Sequence, residues 1–162
     1  MIKLVDVDEQ NWLKVRDLTV AEGQKGFLDS ALGILARGYV YRACRARVIG
    51  IADGETIVGA ALVRDLDEEP ACYDLQQFMI DWKSQGKGIG TQALRLILEE
   101  LGKERKYNCV EVCVKREDTA ALRLYEKSGF VDTGYVDEDA PDSLNLMYHF
   151  HTRSDEHIAR TE

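Results

Sequence analysis

The feature that most constrains this chain is a glycine-rich turn between an apolar run and an amphipathic segment. The apolar run covers residues 75–80, and the turn is Gln85-Gly86-Lys87-Gly88-Ile89-Gly90. Apolar residues then recur at helical spacing, at Leu94, Ile97, Leu98 and Leu101. This pattern places the turn between a buried strand and a helix. The first N–H groups of a helix lack internal partners and carry partial positive charge, so the sequence predicts an anion site at the turn.

Two common phosphate loops do not match this turn. A Walker A loop ends in Gly-Lys-Ser/Thr after a longer spacer, whereas Lys87 is followed by Gly88. A Rossmann fingerprint requires a third glycine at its own spacing, and the spacing here differs. What remains is Gln-x-x-Gly-x-Gly between a strand and a helix, with a turn that binds no ligand as the alternative.

Length and charge limit the remaining possibilities. A chain of 162 residues with 45% hydrophobic composition suffices for one domain, which we assign to residues 1–150, followed by a polar, mobile tail at residues 151–162. No apolar run approaches membrane-spanning length. The net charge of −8 argues against a nucleic-acid surface. It favours a cationic substrate if the acids line a cleft, and a solvated acidic surface is the alternative.

Cysteine and histidine positions give no support for a metal site or a catalytic imidazole. The cysteines, at Cys44, Cys72, Cys109 and Cys113, contain no CxxC pair. Cys109 and Cys113 share a strand face with Glu111, and buried thiols in a reducing cytosol are their expected use. The histidines lie in or beside the tail, at His149, His151 and His157. The first six residues fit a short strand better than a signal peptide, so we expect a cytoplasmic protein.

Local patterns predict the element order β-α-α-β-β-β-α-β-α-β-β, which is an α+β fold. Asp8 is predicted to cap a helix from about Glu9 to Leu18, and a second helix is predicted over residues 24–38. The side chains expected to face the core are Trp12, Leu13 and Leu18 in the first helix and Phe27, Leu28, Leu32 and Leu35 in the second.

The later elements have clearer signals. Asp53-Gly54 between two β-branched runs predicts a hairpin with a two-residue type I′ turn. Asp118 is predicted to cap a helix that ends before Gly129. The remaining expected elements are strands at 2–7, 72–80, 108–114, 130–136 and 143–150, and a helix from the glycine turn to about residue 105.

A second motif, Leu124-Tyr125-Glu126-Lys127-Ser128-Gly129-Phe130, follows the glycine turn by one strand and one helix. The two motifs and the element order together resemble the GNAT superfamily of acyl-CoA-dependent N-acetyltransferases. The resemblance implies the GNAT fold, a mixed and mostly antiparallel central sheet flanked by helices. It also implies that a splayed strand pair binds acetyl-CoA as cosubstrate, and that no metal takes part.

The resemblance assigns the contacts with coenzyme A residue by residue. The pantetheine arm would bond to the exposed main chain of Met79, Ile80 and Asp81. The pyrophosphate would lie on the main-chain amides of Gln85, Gly86, Lys87, Gly88, Ile89, Gly90 and Thr91. Asp118 stands where the family usually has an Asn that fixes the pantetheine arm. Asp keeps the helix cap and one acceptor but loses the amide donor.

Roughly residues 2–150 resemble one branch of that superfamily, the bacterial spermidine/spermine and diamine N-acetyltransferases. The matching pieces are Asn11-Trp12, the Val20-x-x-x-Gln24-x-x-Phe27 spacing, Phe78-Met79-Ile80-Asp81 and Thr133-Gly134. This resemblance implies acetyl transfer to a small cationic amine, a polyamine or diamine, by direct attack in a ternary complex within a homodimer. The alternatives are another amine (an aminoglycoside, an amino acid or a protein N-terminus) or a non-catalytic module that binds CoA or polyamine.

Tyr125 matches the family's tyrosine that protonates the leaving thiolate, and a core aromatic is the alternative. Relatives often carry a carboxylate on the central strand where this chain has Gln76 and Gln77, and neither glutamine can act as a base. The general base is therefore not assigned: Asp74 or Glu22 could accept the proton through water, or the amine could lose it to solvent. Carboxylates are needed to bind ammonium groups, and Glu22 and Asp74 are the predicted substrate-binding residues. The loop at residues 67–69 supplies further acidic candidates, and a solvated surface acid is the alternative for each.

Overall fold

A computed structural model of the chain describes residues 1–151, which build one mixed sheet with helices on both faces. The strands are β1 (Ile2–Asp6), β2 (Arg47–Asp53), β3 (Thr56–Leu66), β4 (Cys72–Ile80), β5 (Cys109–Lys115), β6 (Val131–Asp132) and β7 (Ser143–His149). The helices are α1 (Trp12–Arg16), α2 (Ala31–Val40), α3 (Ile89–Glu104) and α4 (Thr119–Lys127). The predicted α+β class is confirmed. Within the described range, no helix combines the length and apolar character needed to cross a membrane.

The sheet opens between its two central strands. Its strand order is β1-β2-β3-β4-β5-β7-β6, and every neighbouring pair is antiparallel except β4 and β5. These parallel strands pair only where Tyr73 lies opposite Val110 and Asp74 lies opposite Glu111. Both strands continue beyond this point, so they separate and leave a gap in the sheet. The splayed strand pair expected from the sequence is present.

Alternating residues of β3 show how the sheet divides the core. Ala61 and Val63 pack with residues of α3 and α4 on one face of the sheet. Ala60 and Leu62 pack with residues of α1 and α2 on the other face. All four side chains are fully buried. Since successive side chains of a strand point to opposite faces, each face of the sheet has its own apolar cluster.

A β-bulge in β4 lies close to the point where β4 and β5 part. Gln77 lies opposite Leu62 whereas Leu75 lies opposite Val63, so Gln76 is an extra residue in β4. A bulge bends its strand and increases the local twist. The side-chain oxygen of Gln76 is buried and has no hydrogen-bond partner among the described residues.

The first helix is shorter than the sequence predicts. Asp8 does not cap it, because its Oδ1 accepts the amides of Gln10 and Asn11 and closes a separate turn. The prediction that Trp12 and Leu13 face the core is wrong, since both are exposed. Val15 is fully buried instead, and Leu18 is buried as predicted.

The second helix starts later than predicted. Residues 22–24 form a single 3₁₀ turn, and α2 begins at Ala31, after Ser30. The Ser30 hydroxyl accepts the Gly33 amide at 3.0 Å, which is the bond that defines an N-cap. The later start rotates the helix relative to the prediction, so that Leu32 is exposed and Ile34 is fully buried.

The predicted two-residue hairpin is present, but its loop lies one residue later than Asp53-Gly54 and its turn type differs from the prediction. Asp53 pairs with Thr56, so the two loop residues are Gly54 and Glu55. Among non-glycine residues of the described range, positive φ occurs only at Arg45 and Arg105, whereas Gly54 has φ of 59°. A type I′ turn needs positive φ at both loop residues, so this turn is of another type.

The end of the described chain also departs from the prediction. Of the strand predicted at residues 130–136, only β6 forms, because the Thr133 and Asp132 side chains accept the next main-chain amides, those of Tyr135 and Gly134. Such side-chain bonds favour a turn over continued strand pairing. The predicted polar tail lies outside the described residues, except for His151.

Candidate active site

The gap between β4 and β5 leaves main-chain groups of β4 without a neighbouring strand. The Asp81 amide donates to the Val58 carbonyl at 2.8 Å, which fixes the alternation at the end of β4. Met79 and Asp81 therefore direct their main chain toward β3, whereas Phe78 and Ile80 direct theirs into the gap. Of the three predicted pantetheine contacts, only Ile80 presents its main chain to the gap. Phe78 is a site residue that the sequence reasoning missed, and counting back two positions from Ile80 would have found it.

Two glycines shape the turn at residues 85–90, which we call the glycine turn. Gly86 and Gly88 have φ of 74° and 77°. Residues with a Cβ rarely adopt this left-handed conformation, because the Cβ crowds the following carbonyl oxygen. A Cβ at Gly86 would meet no other atom within 4 Å. A glycine is therefore required at position 86 by the main-chain conformation and not by contact with neighbouring atoms.

The helix that follows the glycine turn starts without a side-chain cap. Its N-cap is Gly88, which offers no side-chain acceptor. The amides of the first turn, at Ile89, Gly90 and Thr91, are therefore available to an anion. The Lys87 ammonium donates to the Lys83 carbonyl at 3.1 Å, so a cation lies beside the same turn. The predicted anion site thus has both main-chain donors and positive charge.

A cleft of about 250 Å³ joins the gap to the glycine turn. Its third wall is the connection between α1 and α2, residues 17–30, which we call the α1–α2 connection. The cleft brings together the following residues predicted from the sequence: Met79, Ile80, Gln85, Gly86, Gly90 and Asp118. It also includes Phe78, and Val20, Gln24 and Leu28 from the α1–α2 connection.

Asp118 and Tyr125 lie on α4, beside this cleft. Asp118 is the N-cap, since its Oδ1 accepts the Ala121 amide at 3.2 Å. Tyr125 is 7% exposed and packs against Phe78 and Phe130, with ring centroids 6.5 and 5.2 Å away. Burial raises the pKa of the Tyr125 phenol, and the negative charge of Asp118 raises it further. The phenol is therefore protonated at neutral pH and can donate a hydrogen bond.

Asp74 and Glu111 lie where β4 and β5 meet, at the closed end of the gap. Their neighbours Tyr73, Leu75 and Val110 belong to the cluster under α3 and α4, so the two carboxylates face the opposite side of the sheet. Burial raises the pKa of the Asp74 carboxyl, and the Arg64 guanidinium, 2.8 Å away, opposes that effect. Burial also raises the pKa of Glu111, and repulsion from Asp74 adds to it.

The sequence analysis did not include Glu111 among the site residues. The sequence places Glu111 on the same strand face as Cys109 and Cys113, but it does not identify Asp74 as the neighbour of Glu111 on β4. Only the parallel register of β4 and β5 places Glu111 beside Asp74. Cys72, also on this face, lies 3.8 Å from the Glu111 carboxylate.

Glu22 lies in a different setting from Asp74. It belongs to the 3₁₀ turn of the α1–α2 connection, with its side chain 88% exposed and paired with the Lys25 ammonium at 2.7 Å. No hydrogen bond or ion pair within residues 1–151 connects it to Asp74. The further candidate loop at residues 67–69 holds Asp67, which accepts a hydrogen bond from the Tyr107 hydroxyl.

The cysteines of this structure are all free thiols. Cys72 and Cys109 are buried, and burial raises the pKa of Cys72 to about 12. Within residues 1–151, no group of three or more histidine, cysteine, aspartate or glutamate side chains is arranged to hold a metal ion.

The sequence matches the model of the family described as "Acetyltransferase (GNAT) family" over residues 12–130. It is 25% identical over 139 residues to the spermine/spermidine N(1)-acetyltransferase of Bacillus subtilis, a match that covers 84% of this chain and 91% of that protein.

Solved structures share the fold at lower identity. An aminoglycoside acetyltransferase in complex with coenzyme A has a TM-score of 0.77 and 17% identity, with 99% of both chains covered. The spermidine N-acetyltransferase from Vibrio cholerae, in complex with CoA and spermine, has a TM-score of 0.71 and 17% identity, with 91% of this chain and 95% of that chain covered. The GNAT fold expected from the two motifs is confirmed.

Proposed function

This chain belongs to the acetyltransferase (GNAT) family, and from that premise we propose that it transfers the acetyl group of acetyl-CoA to a polyamine or diamine. One observation carries the proposal: the open main chain of β4 and the uncapped start of α3 line a single cleft. The open main chain of β4 suits the amide-bearing arm of coenzyme A, and the uncapped start of α3 suits its pyrophosphate.

The proposed contacts with coenzyme A follow from that geometry. The amides of the glycine turn and of the first turn of α3, from Gly86 to Thr91, bind the pyrophosphate, whereas the Gln85 amide, also predicted to bind it, donates to the Trp82 carbonyl at 3.4 Å. The main chain of Phe78 and the N–H of Ile80 bond to the pantetheine arm, as to an added strand, whereas the Ile80 carbonyl accepts a hydrogen bond from Gln85 Nε2. Met79 and Asp81, the other two predicted contacts, support this arrangement through their pairing with β3 and do not face the gap.

Acetyl transfer requires attack of the amine on the thioester carbonyl. Holding the two reactants side by side in the gap supplies a large part of the catalysis. As the tetrahedral intermediate forms, its oxygen becomes negative, and a main-chain N–H on the splayed strand β4 is the proposed donor that stabilises it. The amine loses its proton, the C–S bond breaks, and coenzyme A leaves as a thiolate.

Tyr125 is the proposed donor to that thiolate. A thiol has an ordinary pKa of about 8.5 and a phenol of about 10, and the pKa of Tyr125 is raised above that value. Full proton transfer from Tyr125 to the sulfur is therefore uphill. The phenol stabilises the thiolate by donating a hydrogen bond while the C–S bond breaks.

The pair of carboxylates at the closed end of the gap is the proposed binding site for the amine. Asp74 and Glu111 are neighbours across β4 and β5; burial raises the pKa of each carboxyl, and repulsion from Asp74 raises that of Glu111 further. A ligand with two or more ammonium groups relieves this repulsion, whereas a neutral ligand does not. The spermine/spermidine acetyltransferase relative supports a polyamine as the acceptor.

The same carboxylates are the proposed route for the proton of the attacking ammonium. A carboxylate whose pKa is raised toward neutrality accepts a proton more readily than an ordinary surface acid. Asp74, acting through water, is therefore the preferred base, with Glu111 beside it. Glu22 is exposed and paired with Lys25, and we propose that it binds the outer end of the polyamine.

The test is the release of CoA from acetyl-CoA with a panel of amines: spermine, spermidine, putrescine, an aminoglycoside, an amino acid and a peptide. We expect saturable turnover with the polyamines. Preference for the aminoglycoside, amino acid or peptide would overturn the acceptor assignment and keep the enzyme class. Tight acetyl-CoA binding without turnover on any amine would support the non-catalytic module instead.

We further propose that the protein acts as a cytoplasmic homodimer, as the resemblance to the polyamine branch implies. The free thiols fit a reducing compartment. Light scattering on the purified protein is expected to give twice the mass of the 18.3 kDa chain. A monomer at micromolar concentration would contradict the assembly and leave the chemistry of the site unaffected.

A further inference from the structure

The two walls of the cleft are joined by a pair of glutamine side chains. Gln85 Nε2 donates to Gln24 Oε1 at 2.8 Å and to the Ile80 carbonyl at 2.9 Å. Gln24 Oε1 also accepts the Ala21 amide at 3.3 Å. Gln85 begins the glycine turn, and Gln24 closes the 3₁₀ turn of the α1–α2 connection, 61 residues away along the chain. Both side chains are partly buried and line the cleft.

Apart from the apolar packing of Leu18, Val20 and Leu28 with Met79, the α1–α2 connection makes few other hydrogen bonds to the sheet. At its start, the Thr19 amide donates to Asp81 Oδ2 at 3.1 Å, and the Trp82 amide donates to the Thr19 carbonyl at 2.8 Å. At its end, the Asp29 amide donates to Gln77 Oε1 at 3.0 Å. Between Thr19 and Asp29, the described residues form one hydrogen bond from the connection to the β4 side of the cleft, which is the bond that Gln24 accepts from Gln85.

These contacts give a role to Gln77, one of the two glutamines that stand where relatives often carry an acid, whereas Gln76 takes no part in them. Gln77 uses its side-chain oxygen to hold Asp29, just before Ser30 caps α2. The Gln85 side chain donates two hydrogen bonds from one nitrogen. A side-chain amide can do this, whereas a carboxylate has no N–H to donate.

We propose that Gln24 is a positioning residue for the amine, acting through Gln85. Gln85 also anchors the glycine turn to β4. When the pyrophosphate binds the glycine turn, the side-chain amide of Gln85 becomes ordered, and through its bond to Gln24 it orders the α1–α2 connection. Acetyl-CoA and amine then bind interdependently, each tightening the other. This inference rests on the proposed function, since it concerns the same cleft and the same two ligands.

The coupling has a reciprocal signature. If bound CoA raises the affinity for the amine by some factor, the amine raises the affinity for CoA by the same factor. Couplings between sites are typically between about fivefold and 150-fold. A single side-chain bridge corresponds to the lower end of that range, about fivefold to tenfold.

The test compares three variants with the wild-type protein. Gln24→Leu removes the acceptor and keeps a similar volume, whereas Gln24→Glu keeps an oxygen for both recorded bonds. Gln10→Leu makes the same change at an exposed glutamine in the turn before α1 and serves as the matched control. Calorimetric titration of CoA with and without spermidine gives the coupling factor, and steady-state kinetics give the amine KM and kcat.

We expect Gln24→Leu to raise the amine KM about fivefold to tenfold, to leave kcat within about twofold, and to abolish the coupling. Gln24→Glu should retain the coupling, and Gln10→Leu should match the wild type. The double substitution with Gln85→Leu should show non-additive loss, because the two side chains act on one bond. Equal behaviour of the Leu and Glu variants at position 24, or unchanged coupling in Gln24→Leu, would overturn the proposal.

A second measurement needs no acceptor. Amide hydrogen exchange across residues 19–29 should slow when CoA alone binds the wild-type protein and Gln24→Glu, and should stay unchanged in Gln24→Leu. Turnover with polyamines without this protection would overturn the bridge and leave the proposed function. Protection by CoA without turnover on any amine would overturn the proposed function and leave the bridge.

Discussion

At the scale of single residues, the site depends on groups whose environments differ from water. Tyr125, Asp74 and Glu111 are each removed from solvent, and burial is the largest cause of the raised pKa of each. A protonated phenol and readily protonated carboxylates are the forms that acetyl transfer to an amine requires. The three groups therefore give the most direct tests of mechanism.

Tyr125→Phe removes one hydroxyl from a buried ring and leaves the packing against Phe78 and Phe130. We expect kcat to fall by a factor of about 10² or more, because the departing thiolate loses its donor. The affinity for acetyl-CoA, measured by titration, should stay within about twofold. Tyr148→Phe is the matched control, since Tyr148 also packs against Phe130 but, unlike Tyr125, makes no ring contact with Phe78, which lines the cleft. Equal activity of the two variants would assign Tyr125 to the core alone.

Glu111→Gln tests the carboxylate pair through the pH dependence of stability. The folded-state pKa of Glu111 is raised, so its contribution to stability is complete below the unfolded value of about 4.3 and is lost as pH rises through the folded value. The Gln variant should therefore melt at a higher temperature than the wild type at pH 7, and this difference should vanish below about pH 4.

The same variant should bind the amine more weakly. We expect its spermidine KM to rise about tenfold, since one carboxylate of the pair no longer attracts an ammonium group. Glu9→Gln, an exposed acid near the start of α1, is the control and should change neither Tm nor KM. A Glu111→Gln protein with lower Tm at neutral pH and unchanged KM would contradict both the assigned pKa direction and the binding role.

At the scale of elements, the site is a junction of a bulged strand, a glycine turn and an uncapped helix. The bulge at Gln76 lies just beyond the last residue of β4 that pairs with β5. The glycine turn then joins the end of β4 to α3 without a capping side chain. Each element is ordinary alone, and their succession along the chain creates the cleft.

Alanine substitutions at two glycines with the same main-chain conformation distinguish an effect of strain on stability from an effect on acetyl-CoA binding. Gly86 and Gly54 both have positive φ, and a Cβ at either would meet no atom within 4 Å. Alanine at either position should cost about 1 kcal/mol of stability, measured by urea unfolding. Only Gly86→Ala should weaken acetyl-CoA binding, by about tenfold, because it distorts the amides that face the pyrophosphate. Equal CoA affinity in the two variants would remove the glycine turn from the site.

At the scale of the whole molecule, a buried carboxylate ties distant parts of the chain together. Asp65, at the end of β3, has a 3% exposed side chain and contacts Arg45, Arg47 and Lys106 at 2.6–3.5 Å. Glu104, the last residue of α3, pairs with the same two arginines. Asp65 therefore joins the β2–β3 hairpin to the end of α3.

Asp65→Asn should be among the most destabilising single changes at a charged residue. Asn keeps the size of the side chain but removes the buried negative charge, so the charge-assisted hydrogen bonds to three partly exposed cations are weakened at a cost of about 1.5–3 kcal/mol. Urea unfolding measures this loss, and Asp53→Asn is the control, because Asp53 is half exposed and pairs with the N-terminus. The amine KM of the folded Asp65→Asn protein should stay unchanged, since the network lies outside the cleft. A loss below 1 kcal/mol would show that the network is solvated.

The sequence by itself determined the fold class, the order of elements and the chemistry of the glycine turn. These features rest on local signals: apolar periodicity, two glycines that need positive φ, and caps such as Asp118. Local signals were weakest between residues 8 and 30, where Asp8 and Ser30 close turns and caps whose choice depends on tertiary contacts. There the predicted helix bounds were wrong, and so was the prediction that Trp12, Leu13 and Leu32 face the core.

Only the tertiary structure decided which distant residues share the site. The parallel register of β4 and β5 places Glu111 beside Asp74, and strand alternation directs the main chain of Phe78, rather than that of Met79, into the gap. The cleft walls bring Gln24 to Gln85. These neighbours are set by strand pairing and packing between segments far apart in sequence. Periodicity and local motifs carry no information on such pairing, so the sequence supplied the chemical groups and the fold supplied their partners.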